Sequence, residues 1–182
     1  YTEVMVVGII IAVVLIGLVI YLISAYNGLI RRRNQVENAW TQIDVQLKRQ
    51  LDLIPNLVET VKGYAAHEQE TLDAVISARN QAIEAPDTPH DQAEADGVLT
   101  GALRQLFALG EAYPDLKANQ NFLQLQEELT ATEGRVAYAR QFYNDSVLDY
   151  NNKLEQLPTV AFARMLRFER REYLEADEAA RT

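Results

Sequence analysis

A histidine beside carboxylates is the first arrangement to test for chemistry, and His67-Glu68 with Glu70 offers one. A carboxylate-bound metal pair in a helical bundle needs Glu-x-x-His on two helices, with further Glu pointing inward. Tyr64 stands three residues before His67 and Asp87 three before His90, so that pattern is missing. HExxH is missing too, because Thr71 and Leu72 occupy the region where its second His would fall. The polar start of a helix accounts for the cluster better than a metal does. Nucleophilic catalysis has little to use: there is no Cys, and Ser24, Ser77 and Ser146 lie in helical stretches without a glycine-rich elbow. No glycine loop that would cradle phosphate exists. The expectation is therefore no catalytic, cofactor-binding or metal-binding residues, no cofactor, and no enzyme. A hydrolase with carboxylate-bound metal remains only as a distant third reading. Asp44 with Lys48, at i and i+4, reads as an ordinary surface pair worth a few tenths of a kcal/mol.

The elements that would have to position any site are helical. Of the 182 residues 48% are hydrophobic, but they are unevenly spread. Val4 to Ile23 reads VMVVGIIIAVVLIGLVIYLI, with no charge and no Pro. Twenty residues at ~1.5 Å each span about 30 Å, the hydrocarbon thickness of a bilayer. Tyr21 and Tyr26 fall where aromatic rings favour the headgroup layer, and Arg31-Arg32-Arg33 follow. A cleaved signal peptide would want its positive charge before a shorter apolar run. The positive-inside rule places the Arg side in the cytoplasm: a single-pass plasma-membrane protein, N-terminus outside and C-terminal domain inside. Gly8 and Gly17 are too far apart for a GxxxG dimer motif. The absence of Cys excludes disulfides and fits a reducing compartment. The net charge of −9 argues against a nucleic-acid partner, which would need clustered Lys and Arg.

Past the anchor, Val36, Trp40, Ile43, Leu47, Leu51, Ile54, Val58 and Val61 recur every three or four residues. No breaker separates Leu29 from Ile54, so the membrane helix should continue directly into this one. Pro55 should kink it or loosen a turn, and Gly63 should stop it. Leu53 and Leu57 lie beside the stripe and Val45 well off it. That wide apolar arc points either to a second contact surface or to ordinary packing among four helices. A second helix is expected over about Glu68 to Ile83, with Leu72, Val75, Ile76 and Ala82 or Ile83 inward. A loop from Ala85 to Asp91 follows, because two prolines cluster there with turn formers. A third helix runs from about Ala93 to Ala112, carrying Val98, Leu99, Leu103, Leu106 and Phe107. Tyr113-Pro114-Asp115 ends it. The fourth is the clearest: Phe122, Leu125, Leu129, Thr132, Val136, Ala139 and Tyr143, then Val147, Tyr150, Leu154 and Leu157, a heptad-like seam stopped by Pro158. Beyond it lies a mixed apolar and charged segment, and Glu175 to Thr182 is expected to be disordered.

The first and fourth helices are expected to pair antiparallel, with the second and third completing the bundle away from the membrane. From Glu59 to Asp96 nine acids stand against Lys62 and Arg79, so the distal region is acidic and the membrane end basic. Tyr143-Asn144 and Tyr150-Asn151 repeat at seven residues. The Asn residues either fix a helix register or line an interface.

Tyr26-Asn27-Gly28-Leu29, RNQVENAWTQIDVQLKRQLDLIPNLVETVKGYAAHE from Arg33 to Glu68, YPDLKANQNFLQLQEELTATE from Tyr113 to Glu133 and ARQFYNDSVLDYN from Ala139 to Asn151 together resemble the LemA family. The likeness covers nearly all of residues 24–165. It implies an N-terminal membrane anchor and an antiparallel helical bundle, in a prokaryotic protein of poorly established function with no catalytic residues to transfer. The tail after Leu174 is where divergence is expected.

The sequence thus predicts an all-α chain: a transmembrane anchor over 1–30, a LemA-like, coiled-coil-like bundle of about four helices over 31–165, and a charged C-terminal segment over 166–182. Tyr21, Tyr26, Arg31, Arg32 and Arg33 are the expected membrane-interface residues. Trp40, Ile43, Leu47, Ile54, Val58, Leu125, Leu129, Val136, Tyr143 and Tyr150 are the expected helix-packing or interface residues. The leading functional reading is an anchored scaffold that forms a homo-oligomer, with the lipid bilayer as its other partner. The rival is an adaptor recruiting an unidentified protein through the acidic distal region.

Overall fold

With no breaker between Leu29 and Ile54, the apolar run continues into the next helix as expected: Thr2–Lys62 is one helix, α1. The computed structural model describes residues 1–174, so the expected disorder of the tail lies outside the described residues. Helices α2 (Gln69–Glu84), α3 (Pro89–Ala112), α4 (Pro114–Lys117), α5 (Gln120–Glu155) and α6 (Thr159–Ala163) follow, with no strand among the described residues. The fold is all-α. Four of these are the helices expected from periodicity; α4 and α6 are short additions.

Two compact units result, and they cut across a linear division into anchor, bundle and tail. One combines Tyr1–Asn38 with Asn144–Glu172; the other is built on Ala39–Tyr143.

The Ala39–Tyr143 unit has a core of Ile54, Leu57, Val58 and Val61 from α1, Leu72, Val75 and Ala78 from α2, and Leu99, Leu103 and Leu106 from α3. Leu116 from α4 and Phe122, Leu125 and Leu129 from α5 close it. Helices α2 and α3 pack on each other. Pro55 lies inside α1 and the helix continues past it to Lys62. Proline lacks the N–H that would bond the carbonyl four residues back, here that of Leu51. Arg79 of α2 fills the vacancy, its Nε donating to the Leu51 carbonyl at 3.0 Å. The first and last turns are secured separately. Pro89 occupies the first turn of α3, and Thr88 Oγ1 accepts the Asp91 N–H. Asn119 Oδ1 accepts the Phe122 N–H at the start of α5.

Several expectations change here. The loop after α2 is shorter than expected, because Thr88 caps a helix that already begins at Pro89 rather than near Ala93. Ile83 is exposed and Ala78 is buried in its place on α2, while Ala82 is half-buried. Val98 faces solvent and Asp96, two residues earlier, is the buried one. It is held by Arg140 at 2.7 Å. Leu157 does not extend the α5 seam: the helix ends at Glu155 and Leu157 is 79% exposed.

The other unit brings residues 1–38 together with residues 144–172. Residues of α1 up to Ser24 are exposed, and burial begins at Ala25, Gly28 and Leu29. Ser146, Val147, Tyr150, Asn151 and Leu154 of α5 are buried in this unit, as are Thr159 and Ala163 of α6. Arg32 of α1 meets Asp149 of α5 at 2.8 Å.

Candidate functional site

The expected membrane-interface residues lie on consecutive turns of α1, and the structure gives them distinct surroundings. Tyr21 is exposed within the apolar stretch. Tyr26 meets Phe168 edge-on, ring centroids 6.0 Å apart, and the Arg33 guanidinium lies 5.5 Å from the centre of the same ring. Arg32 donates to the Gly28 carbonyl and faces Asp149, so its charge is partly spent inside the unit. Arg31 is exposed and has no ion-pair partner among the described residues.

Phe168 reaches that position because the chain doubles back after α6. The Phe168 N–H bonds the Ala163 carbonyl at 3.0 Å and the Arg167 N–H bonds that of Arg164 at 3.3 Å. These are the paired bonds of a Schellman helix end. Its left-handed position, usually glycine, is Arg167 with φ 58°. The returning segment is then pinned to α5 and α1. Tyr150 OH donates to the Glu169 carbonyl at 3.1 Å. Asn151 exchanges two bonds with the Arg171 backbone, both 3.0 Å. Arg171 reaches Glu37 at 2.9 Å and Arg170 reaches Glu155 at 2.8 Å. Burial raises the Tyr150 phenol above its ordinary value, with Arg171 and Arg33 opposing the shift. The Tyr-Asn pair at 150–151 is therefore an internal clamp. The sequence offered Tyr150 and Asn151 but gave no signal for Phe168 or Arg171, which lie in an aperiodic stretch.

In the other unit the expected packing residues turn inward. Ile43, Leu47, Ile54, Val58, Leu125, Leu129 and Val136 are buried, and Trp40 is half-buried. Trp40 meets Tyr143 with tilted rings, centroids 5.4 Å apart, and donates from Nε1 to Asp87 at 3.0 Å. The wide arc on α1 divides: Leu57 is buried, Leu53 packs against the core, and Val45 remains 50% exposed. The acidic region divides as well. Glu68 accepts from Tyr113 OH, Asp87 from Trp40, Asp91 belongs to the Thr88 cap, and Asp96 binds Arg140. The Glu68 bond raises the Tyr113 phenol. Glu59, Glu70, Asp73, Glu84 and Glu94 remain exposed.

A surface that sequence reasoning missed lies on α5. Leu123, Ala131, Gly134, Tyr138 and Phe142 are exposed and spaced to share one helix face. The lower part of this face forms one wall of a groove of about 520 Å³, with Gln42 and Gln46 of α1 opposite. The signal was present in the 3–4 spacing, but a stronger stripe on the same helix masked it. Among the described residues no group of three or more His, Asp or Glu is placed to hold a metal ion.

A 29% identical relative over 143 residues is the protein LemA of Metamycoplasma hominis, aligned over 77% of this chain. The chain spans 64% of that relative's length. The magnetosome protein MamQ of Magnetospirillum gryphiswaldense is 24% identical over 193 residues, covering 92% of this chain and 71% of its own. MamQ 2 of Paramagnetospirillum magneticum is 24% identical over 88% of this chain and 68% of its own. The LemA family model matches residues 39–182, a span that takes in the Trp40–Tyr143 contact, the Pro55–Arg79 device and the Tyr150–Asn151 clamp, and continues through the tail. With most of its length inside that match and its helices where the shared sequence blocks place them, this chain belongs to the LemA family.

Proposed function

We propose that the protein is a single-pass, membrane-anchored helical scaffold that self-associates laterally through the exposed face of α5. The anchor is the wholly exposed apolar start of α1, the stretch of the chain long and apolar enough to cross a bilayer. The observation that carries self-association is the second stripe on α5. Ala131 and Gly134 bring no bulk to the surface, and a Cβ at Gly134 would meet nothing within 4 Å. Tyr138, 77% exposed, and Phe142 follow them on the next turns. Small residues let a second helix approach closely, and the rings beside them supply contact area. Anchors confined to one membrane raise the effective concentration of such faces, so weak contacts suffice. Cyclic symmetry follows if the contacts close. The Arg31–Arg33 side is placed in the cytoplasm on the charge rule.

The test is the mass of the full-length protein in mild detergent. A large, discrete oligomer is expected, and Tyr138→Glu combined with Gly134→Leu should reduce it to monomer with helical content unchanged. A wild-type chain that runs as a clean monomer sinks the reading. The five exposed carboxylates from Glu59 to Glu94 support a second reading, an adaptor for a basic partner. Crosslinking followed by pull-down, with those five neutralised, should then lose the partner; unchanged recovery counts against it.

A further inference from the structure

The segment between α5 and the Phe168 anchor point exposes three large apolar side chains. Leu157 is 79% exposed, Met165 77% and Leu166 48%. Between them stand Arg164 and Arg167, exposed and without an ion-pair partner among the described residues. From Arg164 to Arg171 the chain carries four Arg against Glu169, although the whole molecule is acidic at −9. In water such a surface would be a liability.

Its height along α1 gives the reason. Within this unit α1 and α5 run antiparallel, with Arg32 against Asp149. Glu155 ends α5 six residues after Asp149, which brings it level with about position 26 of α1. Tyr26 confirms that level independently, since its ring touches Phe168 at the far end of the same segment. Position 26 lies three residues, about 4.5 Å, beyond the end of the apolar run at Ile23. The headgroup layer on each side of the hydrocarbon is about 5–7 Å thick. Residues 156–167 therefore emerge at the depth of that layer, with apolar side chains able to reach the acyl boundary and guanidinium groups able to reach phosphate.

We propose that residues 156–167 form a second membrane contact, an interfacial collar around the base of the anchor that inserts Leu157, Met165 and Leu166 into the bilayer surface and binds anionic headgroups through Arg164, Arg167 and Arg31. Apolar area immersed at the headgroup boundary, reinforced by basic side chains, is how monotopic segments hold a membrane. The collar goes beyond the scaffold reading and rests on its premise that α1 spans the bilayer.

The chain has no Cys, so single substitutions accept one environment-sensitive dye each. Leu157→Cys, Met165→Cys, Val13→Cys and Asn38→Cys are made in the full-length chain. Each labelled protein is reconstituted into phosphatidylcholine–phosphatidylglycerol vesicles, with or without lipids brominated near the headgroup or deep in the acyl chain. The collar predicts blue-shifted emission at 157 and 165, lost on shallow bromination, with Val13 quenched by deep bromination and Asn38 unquenched. If Val13 is quenched while 157 and 165 emit as in water, the collar is wrong and the anchor stands. If 157 and 165 are blue-shifted but no brominated lipid quenches them, protein covers the segment, as a second copy would, and the collar is equally overturned. If Val13 itself is unquenched, the anchor reading falls and the collar falls with it.

Discussion

A single missing N–H sets up the sharpest energetic test. Pro55 leaves the Leu51 carbonyl without its helical donor, and Arg79 supplies one from α2. A hydrogen bond from a charged donor is worth ~1.5–3 kcal/mol. Arg79→Ala should therefore destabilise the protein by about that amount, measured by denaturant unfolding in detergent. Pro55→Ala restores the intrahelical donor, so in that background the loss of Arg79 should cost about 1 kcal/mol less. Additive effects would show that Arg79 acts elsewhere. Tyr150 gives a pH test. Its phenol titrates above the ordinary value when folded, so the unfolded chain releases that proton first as pH rises. Its contribution is full below about pH 10 and is lost as pH climbs through the raised folded value. Tyr150→Phe should cost ~1 kcal/mol at neutral pH through the lost Glu169 bond and should flatten the alkaline decline. An unchanged alkaline profile would assign the decline to other groups. Pro55, Tyr150 and Asn151 were all conspicuous in the sequence, but their partners were not. Arg79 and Arg171 look like any surface arginine until the fold brings a carbonyl or an amide to them, and Asp96 and Arg140 are hidden in the same way.

Individual helices show which local rules tertiary packing overrides. Gly101 and Gly110 both lie inside α3, where replacing Gly by Ala ordinarily gains up to ~1 kcal/mol. At Gly101 a Cβ meets nothing within 4 Å, so Gly101→Ala should stabilise by ~0.5–1 kcal/mol. At Gly110 it would lie 3.0 Å from Phe122 Cζ, a ring that is itself buried and edge-on to Phe107. Overpacking costs ~1–3 kcal/mol and outweighs the propensity gain, so Gly110→Ala should lower the melting temperature while Gly101→Ala raises it. Two shifts of the same sign would show that the Phe122 ring can yield, or that propensity does not operate there. The stripes on α1 and α5 were legible because one face of each helix must be apolar every three or four residues. The start of α3 was misjudged because Pro89 was counted as a breaker, when at the first turn it is a starter. Leu157 was miscounted because the period was followed two residues beyond the end of α5.

At the scale of the molecule, the unit built from residues 1–38 and 144–172 says where the anchor can be cut. Burial on α1 starts at Ala25. Removing residues 1–23 should leave Ala25, Leu29 and the Arg32–Asp149 pair in place while taking away the membrane-spanning stretch. The shortened chain should stay helical and cooperative on heating, yet run as monomer or small oligomer at concentrations where the full-length protein is large. A truncated chain that keeps the full assembly would show that the α5 face is strong enough without the bilayer. The all-α class was readable from the three- and four-residue spacing of apolar positions, and the apolar start of α1 from one uninterrupted uncharged run. The grouping of the anchor with residues 144–172 was not, because it rests on a few side-chain bonds between segments more than a hundred residues apart. Arg171 with Glu37, 134 positions distant, is one of them.

That separation also fixes an order in time. During synthesis the apolar start of α1 leaves the ribosome well before residues 144–172, with which it shares a unit. Residues 39–143 come next and hold everything their own core requires. Residues 144–172 follow that core, so the unit that contains the start of α1 can close only after the core has been made. Its closure spans a loop whose entropy cost falls once the intervening residues have folded. A chain ended before residue 144 would hold an intact core yet lack Asp149 and Phe168, the partners that Arg32 and Tyr26 meet in the finished protein.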